Sequence, residues 1–274
     1  PILQKQGLNE MGDVNMENVW QSIKAMFKNT RWVVGFILGM VGSIPYIISL
    51  NLAGVTVVQP LINFGLIVLV YFSHKTFNEE ITLKAKLAIT GMIIVPFFIT
   101  FANVSAPQAD ITTSQVIWTF FIAVGILSVV VGVCIGIAKK KPIFWAFASG
   151  IMFAAGATAV QALVSTITFL GYDIVKDFGF LFIHMFTDIT FIWIVIFAIL
   201  AIVLNALATY LLQIALQKTD VSKAGPINQT MNNIFTVLVG LIVFQQLVGN
   251  VFLYAIGFII AVISAFILAQ YQVQ

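Results

Sequence analysis

Charge is scarce in this sequence. Lysine, arginine, aspartate and glutamate make up 8% of its 274 residues, against roughly 25% in an ordinary soluble domain. Cysteine is scarcer still: Cys134 stands alone in an apolar run, so no internal disulfide can form and the residue reads as a small buried apolar side chain. Only two histidines are present, His74 and His184, and no H-E-x-x-H pattern occurs, which excludes the zinc-protease signature. Both histidines fall at helix ends, so a buried Ser–His pair is not expected. Asp173 follows Tyr172 outside the apolar runs and has no glycine-flanked partner aspartate, so an intramembrane aspartyl protease does not fit either. No basic stretch alternates with aromatics, which leaves no nucleic-acid surface. These gaps argue against an enzyme, call for no cofactor and single out no resident metal ligand set. A signal-peptide pattern is also missing. The opening Pro1-Ile2-Leu3, followed by Gln4-Lys5-Gln6-Gly7, reads as the end of a first helix whose beginning lies upstream.

What is abundant is apolar surface, 61% of residues. A spanning helix needs about 20 mostly apolar residues, and eight stretches qualify: Trp32–Ala53, Val55–Phe77, Ile81–Phe101, Ser114–Ile137, Ile143–Leu170, Thr190–Gln217, Val221–Phe244 and Leu247–Gln270. No charged residue lies deep in any of them. A charge at the bilayer centre costs at least ~2.5 kcal/mol on the insertion scale, so this avoidance supports the assignment. With the loop after Gly7 in the cytoplasm, twelve basic residues fall on the cytoplasmic side, Lys139-Lys140-Lys141 among them as an anchor for anionic headgroups. Only Lys176 falls on the other side. The basic residues thus place the C-terminus in the cytoplasm, and the plasma membrane is the expected location. Residues 15–30 carry Val19, Trp20, Ile23, Met26 and Phe27 on one helical face, the pattern of an interfacial amphipathic helix. Residues 178–186 form an aromatic segment too short to span, interfacial or re-entrant.

The sequence also resembles itself. A shift of 166 residues carries Ile48–Asn51 onto Ile214–Gln217, Val55-Thr56 onto Val221-Ser222, Pro60-Leu61 onto Pro226-Ile227, Asn63 onto Gln229, and Glu79-Glu80 onto Gln245-Gln246. The paired helices run in opposite senses, so the halves are inverted. The expected fold is an all-α, polytopic transmembrane helical bundle with inverted repeats, eight complete spans plus a truncated first helix. Residues 1–103 form the first repeat, 114–138 a connecting helix and 143–270 the second, inverted repeat. Inverted repeats can exchange conformations, moving an opening from one face to the other, and their substrate sites lie near the midplane. That pattern implies a secondary transporter of a small solute or ion embedded in the bilayer. A non-transporting scaffold is the alternative, and its mark would be a packed interior without a polar cavity.

Leu212–Leu216 followed by Val221-Ser222-Lys223-Ala224-Gly225-Pro226-Ile227 resembles the second-half pattern of the drug/metabolite transporter (DMT, EamA-like) superfamily, and Thr56–Leu61 repeats it in the first half. Within it the sequence is most similar to the NIPA-type magnesium transporters, through Gln4-Lys5-Gln6-Gly7-Leu8, Trp32-Val33-Val34-Gly35 and Ala106-Pro107. The resemblance implies magnesium or another divalent cation as an alternative cargo. Where the NIPA-type pattern has glycine-glutamate, this chain has Gly42-Ser43, which removes the most obvious ligand for a hard dication.

Candidate site residues are the polar ones in apolar runs. Asn228, Gln229, Asn232 and Asn233 fall within six residues, paired at i,i+4 spacing. Amides in hydrocarbon must find partners or water, so they read as lining a polar cavity, with Gln59 and Asn63 opposite. Interhelical hydrogen bonding is the plainer reading. Pro60 and Pro226 sit symmetrically near helix starts, as first-turn prolines or kinks. Pro45, mid-helix, would free carbonyls beside Ser43, Tyr46 and Ser49. Gln161, Thr158, Asn205 and Gln213 are further polar positions. Gly35/Gly39 and Gly132/Gly136 are small-residue pairs for close helix packing, the second pair also suited to a homodimer contact. Asp188 and His184 lie at the non-cytoplasmic boundary, as solvated residues or a proton path.

Overall fold

The computed structural model describes residues 1–14, 16–42, 45, 68–69, 71–72, 74–77, 82–103, 113–172, 177, 179–180, 183, 191–245 and 247–270. Ser43, Tyr46, Gln59, Pro60, Asn63, His184 and Asp188 fall outside these, as does the whole stretch from 46 to 67. The described chain is helical, without a β-sheet. Its elements are α1 (Ile2–Asn9), α2 (Val19–Lys28), α3 (Thr30–Gly42), α4 (Leu83–Phe101), α5 (Ser114–Ala138), α6 (Phe144–Phe169), α7 (Ile192–Lys218), α8 (Val221–Val243) and α9 (Val251–Gln270). Four of them, α4 to α7, are long and apolar enough to cross a membrane. The chain is an integral membrane protein of helical type. The ends of α4 to α9 lie within a few residues of the limits read from hydropathy, because those limits are set by the charged and turn-forming residues that hydrocarbon excludes. Thr82 caps α4 by accepting a hydrogen bond from Ala85 N at 3.3 Å.

The core is built around α6. Its sequence is rich in Ala, Gly, Ser and Thr, and sixteen of its twenty-six residues are buried. Small side chains let backbones approach closely, which is how helices associate where the surrounding solvent is itself apolar. α6 packs on α5, α7 and α8. A Cβ on Gly150 would lie 2.7 Å from Met231 Cβ and overlap the backbone oxygen of Asn228, and one on Gly156 would run into the Asn205 side chain. By contrast, nothing lies within 4 Å of such an atom at Gly125, Gly132 or Gly136 on α5, whose outer face is open.

The second packing centre joins α4 and α9. Gly91 abuts Ser264 and Gly257 abuts Phe98, while Gly249 N and Asn250 N donate to Asn103 O and Ala102 O at 3.2 and 2.9 Å. The partners run in opposite order along the two helices, so α4 and α9 are antiparallel. The 166-residue shift carries Gly91 onto Gly257 and Phe98 onto Ser264. The two close approaches are therefore one contact met twice.

α2 departs from the expected face. Ser22 and Met26 turn inward and are buried, whereas Trp20 and Phe27 are exposed, with Lys24 Nζ 5.4 Å from the Trp20 ring centre. The apolar stripe is split because the neighbouring chain claims Met26, while Trp20 is left for the surroundings. The helical part, Val19–Lys28, is shorter than 15–30.

These contacts predict that Gly150→Val and Gly257→Val each lower unfolding stability by about 1–3 kcal/mol through overpacking. Gly132→Val, in open space, should leave it unchanged. Thermal unfolding of the three purified variants decides this.

Candidate functional site

A cleft of about 540 Å³ opens between α1, α3, residues 68–72, α7 and α8. Its walls are mainly apolar, from Ile2, Leu3, Leu38, Val68, Leu69, Phe72, Leu212 and Leu216, with polar groups supplied by Gln4, Asn228 and Gln229. No acidic or basic side chain is among its described lining residues, and among the described residues no cluster of His, Cys, Asp and Glu could hold a metal ion.

The amides come from the early part of α8. Asn228 is buried, and its Nδ2 donates to Ser149 Oγ at 2.7 Å; Ser149 in turn donates to Ala208 O at 2.9 Å. Gln229 Nε2 donates to Asn233 Oδ1 at 3.3 Å, and Asn232 Oδ1 accepts from Thr236 Oγ1 at 3.2 Å. Only Asn228 and Gln229 of the four line the cleft. Asn232 is half-buried and Asn233 buried, three and four residues further along the helix than Gln229. Pro226, the sixth residue of α8, lies inside a continuous helix.

The sequence is similar to that of a probable magnesium transporter. That protein is NIPA9 of Arabidopsis thaliana, 25% identical over 203 residues, a match covering 69% of this chain and 56% of the relative. The chain thus spans little more than half the length of the relative it matches. No family model matches the sequence, and no solved structure does.

Other candidate residues serve elsewhere in the structure. Gln213 is buried, with Oε1 accepting from Trp32 Nε1 at 3.0 Å and Nε2 reaching Thr209 O at 3.4 Å. Thr158 returns its hydroxyl to Ala154 O, and Asn205 gives its Nδ2 to Ala201 O. Gln161 is half-buried on α6 and does not line the cleft. Pro45 is helical and exposed. Gly35 brings α3 against α1, where a Cβ would lie 3.0 Å from Leu3 Cβ and Gln4 Cγ; Gly39 lines the cleft in open space.

Trp32 and Gln213 belong to a clasp at one end of the cleft. Lys5 Nζ donates to Thr219 O at 2.8 Å and lies 5.2 Å from the Phe77 ring centre. Gln217 accepts from Val14 N at 2.7 Å and donates to Leu8 O and Gly12 O. Lys218 pairs with Asp13 at 3.5 Å, and Ser22 bonds the Tyr210 hydroxyl. Residues from the first 32 positions therefore grip the last turns of α7. Sequence reasoning missed Ser149, Gln4 and Lys5 in these roles. A serine in an Ala/Gly-rich helix and a lysine near the chain start give no signal until their partners are placed.

The clasp predicts a coupling. Gln213→Leu leaves a buried indole N–H without an acceptor and should cost about 1–3 kcal/mol. Adding Trp32→Phe should recover part of that loss, and a double-mutant cycle in thermal or denaturant unfolding measures the difference.

Proposed function

We propose that the chain is a secondary transporter that moves a small solute by alternating access, with the cleft between α1, α3, α7 and α8 as its substrate site. The observation that carries this reading is the cleft itself: a cavity with amides on its wall and no acidic or basic side chain among its described lining residues, inside a membrane protein and bounded by elements of both halves of the sequence. Residues 1–103 and 143–270 act as inverted repeats flanking the connecting helix 114–138, in a DMT-like bundle of eight spans beside the first helix. The symmetric α4–α9 contacts at Gly91 and Gly257 support the inversion, since a two-fold axis in the membrane plane requires paired, antiparallel equivalents. The clasp on the end of α7 then serves as the closed gate, made of hydrogen bonds that can be exchanged for water when the halves rock. The protein sits in the plasma membrane with its C-terminus in the cytoplasm and can dimerise through the open face of α5.

A magnesium path is the second reading, favoured by the similarity to the probable magnesium transporter of Arabidopsis. No carboxylate lines the cleft among the described residues. A dication here would keep much of its water shell, as magnesium commonly does, and lean on carbonyl oxygens.

Two measurements test transport. In proteoliposomes, counterflow of a solute or magnesium-dependent uptake should be abolished by Asn228→Leu. In a Cys134→Ala background, Asn228→Cys and Gln229→Cys should react with a water-soluble thiol reagent in at least one state. Uniform protection of both, with no flux, leaves the scaffold reading in place.

A further inference from the structure

The Asn228 carboxamide has two ends, and the packing against α6 decides which one meets the cleft. Ser149 is fully buried and its hydroxyl carries a single hydrogen, which goes to Ala208 O at 2.9 Å. With that hydrogen engaged, Ser149 Oγ can only accept, so its neighbour at 2.7 Å is the amide nitrogen of Asn228. The oxygen and nitrogen of a carboxamide lie on opposite sides of one carbon. Holding Nδ2 on α6 turns Oδ1 away from α6, and no residue of α6 lines the cleft. Gln229 repeats the arrangement with Nε2 engaged on Asn233, and neither amide oxygen has a partner among the described residues. Asn228 is only 8% exposed, so its oxygen is a buried acceptor on the wall of a mainly apolar cavity.

We infer that the α8 wall of the cleft is a donor-selective surface, in which the oxygens of Asn228 and Gln229, held in place by Ser149 and Asn233, take ligands that bring N–H or O–H hydrogens. Anions and ligands with acceptors alone meet oxygen lone pairs on this wall and are refused there, although Gln4 elsewhere on the lining can donate. Ser149 is a positioning residue that sets this polarity without touching the ligand. The inference rests on the transport reading of the same cleft. The matching chemistry comes from two sources, the N–H or O–H groups of a neutral organic solute or the water shell of a divalent cation.

Binding to the purified full chain separates the cases through the rise in unfolding midpoint that a ligand of the folded state produces. The probes are hexanamide, its N,N-dimethyl counterpart, hexanoate and magnesium chloride. We expect hexanamide, magnesium or both to stabilise the chain. The dimethyl amide should need a concentration at least about tenfold higher than hexanamide, the effect of losing one buried hydrogen bond to the site, and hexanoate should do nothing. Ser149→Ala releases the Asn228 amide to rotate, and the preference should fall towards about one, since the discriminating bond is gone. Asn228→Leu should abolish binding of the donor ligands. Stabilisation by magnesium alone assigns the donors to a water shell, and by hexanamide alone to an organic solute. Equal binding of the two amides, binding of hexanoate, selectivity untouched in both variants, or no shift with any of the four probes overturns the inference. Donor-selective binding without vesicle flux sinks the transport reading and leaves the polarity of the site standing.

Discussion

The close approach of α8 to α6 at Gly150 is the constraint on which the rest of the candidate site depends. With no side chain at Gly150, the backbone of α8 at Asn228 lies against α6. Only at that separation can Asn228 reach Ser149, and only with Ser149 tied to Ala208 on α7 is the amide held in one orientation. Three helices are thus joined by two consecutive hydrogen bonds in a region where hydrocarbon offers no substitute partner. The polar chain costs nothing in unsatisfied groups on the α6 side, and it leaves the Asn228 oxygen without a partner among the described residues. An unmatched buried acceptor is unfavourable by itself, which makes it informative: it is the atom a ligand would satisfy.

The N-terminal segment plays the complementary part. Its helices α1 and α3 form one wall of the cleft, while Lys5, Leu8, Gly12, Val14, Ser22 and Trp32 hold the end of α7. Each of these bonds crosses from the first part of the sequence to the second. They are polar and individually modest, about 0.5–1.5 kcal/mol net apiece. A closure made this way can reopen, unlike one made by interdigitated apolar side chains. The α4–α9 pair, fitted glycine against side chain, is built in the other way and suits a fixed axis rather than a moving one.

Much of the fold was legible beforehand. The ends of α4 to α9 follow from where charges, Pro142 and the short turns fall, because the bilayer penalises both charge and unpaired backbone. The polar run on α8 was legible as well, since four amides interrupt an apolar helix. What was not legible is how the four divide. Asn228 and Gln229 reach the cleft, whereas Asn232 and Asn233 bond within their own helix. The i,i+4 pairing held for Gln229 with Asn233 and failed for Asn228, which found a better partner across the interface. Likewise α2 was recognisable as amphipathic, but its stripe was divided between the bundle and the outside once Met26 was packed.

The sequence alone determined that this chain lives in a membrane, where α4 to α9 begin and end, and that amides gather in α8. Those properties follow from one-dimensional rules: length against bilayer thickness, charge against desolvation, periodicity against the helical turn. The tertiary structure alone decided which amide faces the cleft and which end of it is presented. That depends on Ser149 and Ala208, residues distant in sequence from Asn228 and unremarkable by type, whose single shared hydrogen sets the direction of every bond that follows.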